Sequence, residues 1–123
     1  MTVLTEGRHP GEFLMTEANG QRSRDSITIA SGAGIIAPGT VLGKITASGK
    51  YFASAVGATD GSQTAVAIAL YGCDATTRDV AIAAITRDAE VNGKILTWHP
   101  DRDQAAEKAA AQADLASVGI IVR

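Results

Sequence analysis

With one cysteine in 123 residues, Cys73, the chain cannot form an internal disulfide. The apolar, strand-like neighbourhood of Cys73 marks it as a small buried hydrophobe and not a reactive thiol, and a reducing compartment suits such a chain. Aromatic residues make up only 4 % of the chain although 46 % of it is hydrophobic, so the apolar material is mostly Ala, Val, Ile and Leu, which suits tightly layered sheets. Eleven basic residues stand against thirteen acidic ones, for a formal net charge of -2. They are spread along the chain and leave no cationic stripe to neutralise phosphates, so nucleic acid is not an expected partner. No stretch approaches the ~18 to 20 apolar residues of a membrane span, and Met1–Arg8 has neither the basic start nor the apolar centre of a secretory leader. The expectation is a protein made and kept in a cytosol, with no membrane partner.

Motifs that carry chemistry are equally sparse. His9 and His99 each sit beside a proline and have no HxxxH or CxxC companion, so no metal is expected and surface or packing roles are favoured. Asp60, Asp74, Asp79 and Asp88 fall in turn or strand-end contexts that explain them without acid or base work. No G-x-S-x-G elbow is present. Gly32-Ala33-Gly34-Ile35-Ile36-Ala37 matches the G-x-G-x-x-G/A dinucleotide fingerprint in residue type, but Pro38-Gly39 interrupts it where a phosphate-facing helix has to begin. Gly43 to Gly49-Lys50 resembles a P-loop with five residues between the glycines where four are needed, and Tyr51 stands where a Mg²⁺-binding hydroxyl belongs. Catalytic residues and cofactors are therefore not expected.

What is present reads as one β-rich domain, the size of the chain leaving little for a second. Residues 1–11 mix short polar residues with Gly7, Pro10 and Gly11, show no periodicity, and read as a mobile arm; the domain proper is expected over 12–123. Glu12–Glu17 is a short extended segment ending in the Asn19-Gly20 turn. Asp25–Ala30 alternates polar and apolar side chains with the period of a half-buried strand. Ile35–Ala37, Thr40–Thr46 and Lys50–Ser54, separated by Pro38-Gly39 and Ser48-Gly49, have the spacing of a meander. Asp60-Gly61, a hairpin dipeptide, precedes Gln63–Tyr71, whose near-continuous apolar character predicts a central strand buried on both faces. Asp79–Arg87 is a further apolar run. Val91–Leu96 reads as a turn with short flanking strands in a stretch whose length also suits a helix. Helix is predicted from Asp101 to about Ser117, Ala-rich, with Asp101 placed to cap it after Pro100 and Gln104 three residues on; Gly119 stops it before a terminal strand, Ile120–Arg123. The apolar face of this helix is mainly alanine, so its stability has to come from docking on the sheet.

Several runs, in order, resemble the head decoration protein family of tailed bacteriophages: Glu17–Asp25, Pro38–Ile45, Asp60–Ala69, Thr86–Val91, and the end formed by Leu96-Thr97-Trp98-His99-Pro100, a helix and Gly119–Val122. Each is only moderately specific by itself, and their order and spacing carry the resemblance. It implies a lambda-type, β-clip-like domain, mainly β with one C-terminal helix, that is not an enzyme. It also implies a homotrimer that binds the phage major capsid protein on the outer surface of the expanded head, as part of the virion, after assembly in the host cytoplasm. In that family the N-terminal arm orders against the capsid protein as an added extended segment, and the matching positions here are Thr2, Val3, Leu4, Thr5 and Glu6. Two rivals belong to other classes. Pro38–Ile45 also resembles strands of biotinyl and lipoyl carrier domains, although their acceptor-lysine hairpin is missing and only a modified Lys44 or Lys50 would revive that reading. A β-clip hydrolase would need acidic and phosphate-binding motifs that the chain does not display.

Overall fold

Arg24–Ile29 shows how the pattern becomes structure: Ile27 and Ile29 are buried while Asp25 and Ser26 are exposed, which is the two-residue period of a strand with one wet face. In the computed structural model, which describes residues 3–123, this strand is one of ten. In chain order they are β1 (Leu14–Glu17), β2 (Arg24–Ile29), β3 (Gly34–Ile36), β4 (Val41–Lys44), β5 (Tyr51–Ala53), β6 (Ala65–Ala69), β7 (Cys73–Ala75), β8 (Val80–Ile85), β9 (Ala89–Val91) and β10 (Ile120–Val122). A 3-10 turn spans Gly93–Ile95, and the helix α1 spans Ala105–Ser117. The class is thus mainly β with one C-terminal helix, as the sequence predicts.

Five strands close into a barrel in the order β2-β5-β4-β6-β8. A three-stranded sheet, β1-β9-β10, and a two-stranded ribbon, β3-β7, flank it. Strand β6 is the predicted central strand: it lies between β4 and β8, and four of its five residues are buried. Its side chains serve two cores. Ala67 and Ala69 point into a cluster with Ile27, Ile29, Leu42, Ile82 and Ala84, contributed by the barrel strands. Ala65 and Ile68, with Leu70 just beyond, join Phe13, Val41, Ile85, Val91, Leu115 and Ile120 in a second cluster between barrel, helix and three-stranded sheet. A register shift opposite Leu42 and Gly43 lets Ala65 face the second cluster, because a bulge inserts one residue and changes the side on which the next one emerges.

The meander expected over 35–54 is only partly formed. β4 and β5 pair antiparallel, but β3 leaves the barrel to pair with β7, and β5 closes the barrel by a parallel bridge from Tyr51 to Ile29. Asp60-Gly61 is likewise no hairpin tip, since β5 and β6 both pair with β4 and not with each other. Instead the Asp60 carboxylate accepts from Ser62 N–H and Oγ at 3.0 and 2.6 Å, which folds the loop tightly against β4. Gly43 makes that approach feasible: a Cβ there would lie 1.8 Å from the Ser62 carbonyl oxygen.

Helix α1 begins later than Asp101. Its N-cap is Gln104, whose N–H is accepted by the Glu107 carboxylate at 3.2 Å. Arg102 causes the delay. It is 4 % exposed, and its guanidinium donates to Ser54 O (2.9 Å), Ser54 Oγ (3.1 Å), Gln63 O (2.6 Å) and Glu107 O (2.9 Å), which pins residues 101–103 to the barrel outside helical geometry. Asp101 then accepts from the N–H groups of Val56 and Gly57 at 3.0 and 3.2 Å. The helix buries Ala111 and Leu115, ends at Val118, and Gly119 (φ 87°) turns the chain into β10, parallel to β9. Cys73 also departs from expectation: it is half-buried on the two-stranded ribbon, and burial, with Asp74 beside it, raises the thiol pKa.

Candidate functional site

The short polar residues ahead of Pro10 offer no periodic face to a core, and residues 3–9 run without helix or strand. Val3 is 81 % and Leu4 87 % exposed, and Thr5, Glu6, Gly7 and Arg8 are exposed as well. The local contacts are His9 Nε2 to Glu6 Oε2 at 3.4 Å and Arg8 to Glu12 at 3.9 Å. Of the five arm positions predicted to touch a partner, Thr2 lies outside the described residues, and Val3, Leu4, Thr5 and Glu6 stand together in solvent.

The arm is fastened at its base. Gly11 (φ 69°) donates its N–H to Leu70 O at 3.2 Å, Leu14 N–H returns to Gly11 O at 3.1 Å, and Phe13 is fully buried in the second core cluster. A shallow depression lined by Pro10, Gly11, Arg24, Leu70 and Tyr71 surrounds this anchor, with Tyr71 48 % exposed. On its wall Arg24 holds Glu17 in a two-point pair at 2.6 and 2.9 Å, and these hydrogen bonds keep the Glu17 carboxyl below the usual carboxylate range. The chemical equipment of this end is therefore a set of backbone N–H and C=O groups over residues 3–8 without backbone partners among the described residues, two exposed aliphatic side chains, and an aromatic and arginine at the root. Such an arrangement suits addition of an extended strand to a partner.

The remaining candidates are taken up by local structure. Gly32–Ala37 forms a turn and β3, and Gly43–Lys50 forms the end of β4 and a turn in which Lys50 pairs with Asp79 at 2.6 Å. Asp74 and Asp79 accept backbone N–H groups of Thr76 and Ser31 at 3.1 and 2.8 Å; those of Asp60 and Asp101 are described above, and all four carboxyls titrate below their ordinary range. His99 Nδ1 lies 2.9 Å from Asp101 Oδ1, while His9 on the arm has Glu6 beside it. Among the described residues no three His, Cys, Asp or Glu side chains converge as a metal site, and no helix is long and apolar enough to cross a membrane. Sequence reasoning overlooked Arg102, Tyr71 and Ile35. Arg102 sits between two aspartates and reads as a solvated charge, and the exposure of Ile35, flanked by Gly34 and Ile36, depends on a ribbon pairing that no local pattern announces.

The family model described as bacteriophage lambda head decoration protein D matches residues 3–120, from the first described residue of the arm through the first residue of β10. No curated protein matches the chain. A match of that extent, over a barrel with one C-terminal helix that displays backbone and aliphatic groups at its N-terminal end, makes the chain a member of the phage head decoration protein family, a structural family whose place is on the capsid.

Proposed function

We propose that this decoration protein works without catalysis, as a homotrimeric clamp that binds the major capsid protein on the outer surface of the expanded head and is assembled there in the host cytoplasm. Residues 1–11 serve as the capsid-binding arm and 12–123 as the rigid domain that presents it, with Thr2, Val3, Leu4, Thr5 and Glu6 as the contact segment. The observation that carries this reading is the exposure of Val3 and Leu4, above 80 % on a stretch without strand partners among the described residues, in a segment that leads to a buried anchor at Phe13.

Magnitudes explain the need for three arms. Ordering one residue costs roughly 1 to 2 kcal/mol of backbone entropy, whereas a net hydrogen bond contributes about 0.5 to 1.5 kcal/mol. One arm alone therefore binds weakly, with burial of Val3 and Leu4 supplying most of the surplus. Three arms held on one body engage at an effective concentration of order millimolar after the first has bound, and avidity makes the clamp tight. The test is deletion of residues 2–7. The truncated protein should keep its thermal transition and its oligomeric state, yet fail to co-sediment with expanded undecorated capsids; undiminished co-sedimentation removes the arm from the mechanism.

A further inference from the structure

The chain has two asparagines, Asn19 and Asn92, and a glycine follows each of them. An Asn-Gly pair loses its side-chain amide readily, because glycine has no Cβ to shield the backbone nitrogen that attacks the amide carbon. In a folded protein the reaction further requires that this nitrogen be free. At Asn92 it is held: Gly93 donates its N–H to Arg123 O at 3.0 Å, Asn92 Oδ1 accepts from Lys94 N–H at 3.0 Å, and a Cβ on Gly93 would lie 2.7 Å from Val122 Cγ1. At Asn19 it is not. Asn19 and Gly20 are both exposed, neither the Asn19 amide nor the Gly20 N–H has a hydrogen-bond partner among the described residues, and nothing lies within 4 Å of a Cβ on Gly20. Asp60-Gly61, which could close the same ring from a carboxyl, is also held: Ser62 N–H and Oγ donate to the Asp60 carboxylate, and Gly61 N–H donates to Gln63 Oε1 at 2.9 Å.

We propose that the turn between β1 and β2 is a site of spontaneous deamidation, at Asn19 and not at Asn92. The Gly20 nitrogen gives up its proton to base and bonds to Asn19 Cγ; the Cγ–N bond of the side-chain amide breaks, and ammonia leaves. Water then opens the five-membered imide at either carbonyl, giving aspartate at position 19 or isoaspartate, in which the main chain runs through Cγ. One water enters and one ammonia departs, with no oxidant or enzyme, so the extent of reaction grows with the age of the protein. The turn is built to survive the change. Ala18 N–H donates to Ser23 Oγ at 2.9 Å, the fully buried Ser23 in turn donates to Asp88 O at 2.8 Å, and the extra backbone atom is taken up between these fixed ends. The new carboxylate joins a turn where Glu17 and Asp88 are already paired with Arg24 and Arg22.

Incubation of the folded full chain in mildly alkaline buffer tests this, with the tryptic peptides His9–Arg22 and Asp88–Lys94 followed by mass spectrometry and by isoaspartyl methyltransferase labelling. The mass gain of NH replaced by O should accumulate in the first peptide about tenfold or more faster than in the second, since two hydrogen bonds have to open before attack at Asn92. In urea the two peptides should react at comparable rates. Asn19→Gln should remove the isoaspartate signal from the first peptide and leave Tm unchanged, because the exposed Asn19 side chain holds nothing in place. Equal rates in the folded chain, or a folded chain that reacts at neither site while the urea-unfolded one reacts at both, overturn the proposal. So does a rate ratio that persists in urea, which would put the selection in the local sequence, or an isoaspartate signal that survives Asn19→Gln.

Discussion

Replacing Gly43 by alanine should destabilise the domain far more than one methyl group suggests. Gly43 lies within β4 and does not have a positive φ, so the conflict is one of space: the added Cβ would sit 1.8 Å from Ser62 O and 2.6 Å from Ser62 Cα. Strand or loop would have to retreat by more than about 1 Å to restore normal contact distances. Neither is free to do so. Ser62 is 2 % exposed and tied to Asp60, and the next residue, Gln63, offers its carbonyl to Arg102 at 2.6 Å. Overpacking alone costs about 1 to 3 kcal/mol, and loosening a hydrogen bond to the buried guanidinium adds about 1.5 to 3 kcal/mol. Relief of the glycine's entropic cost in a strand returns only about 0.5 to 1 kcal/mol. The net is a loss of about 2 to 5 kcal/mol. At an unfolding entropy of about 2.1 cal/mol/K per residue, 123 residues give about 0.26 kcal/mol/K, so Tm should fall by about 8 to 20 °C. Gly7→Ala, in open space with nothing within 4 Å of the new Cβ, serves as the control and should leave Tm unchanged. Calorimetry of the two variants checks this; a fall of less than about 3 °C for Gly43→Ala would refute the claim that the loop and β4 are locked together.

Three further outcomes follow from the same structure. Arg102→Met should lower stability by about 3 kcal/mol or more in urea titrations, because the Ser54 and Gln63 carbonyls lose their donor inside the fold, and Arg102→Lys should recover little of it since one ammonium cannot reach four acceptors in a planar fork. Glu17, Asp25 and Glu90 are held below their ordinary pKa by hydrogen bonds from Arg24, Arg87 and Arg123 respectively, so the folded state binds fewer protons than the unfolded one; their contribution is complete above about pH 5, and Tm should drop as pH falls through about 4 and below. Burial raises the Cys73 thiol pKa, so near pH 8 the folded protein should react with a disulfide reagent more slowly than free cysteine does, and a faster reaction would contradict the placement of Cys73 on the ribbon.

The strands and the helix were legible because their signals are local. Period-two alternation in Arg24–Ile29, the unbroken apolar run of β6 and the glycine after Val118 each act within a few residues. Pairing was not legible. Nothing near Gly34–Ile36 indicates that it will leave the barrel for Cys73–Ala75, because strand partners are chosen by contacts between segments far apart in the chain. The helix start was misplaced for a related reason: Asp101 fits a capping pattern, but the buried hydrogen bonds of Arg102 outweigh a cap that contributes about 1 kcal/mol. At the candidate site, composition predicts the lack of periodic structure before Pro10, whereas the fastening of Gly11 to Leu70 depends on where β6 ends in space.

That fastening sets the route of mechanical load. A pull on the arm reaches the domain at Gly11 and passes in one step, through the Leu70 carbonyl, to the end of the strand whose side chains knit both cores together. Tension therefore arrives at a strand paired on both sides and is shared among its neighbours, much as a mooring line is made fast to a keel and not to planking. Under the proposed function, a tug on the arm is thus carried by that inner strand and not by a free edge.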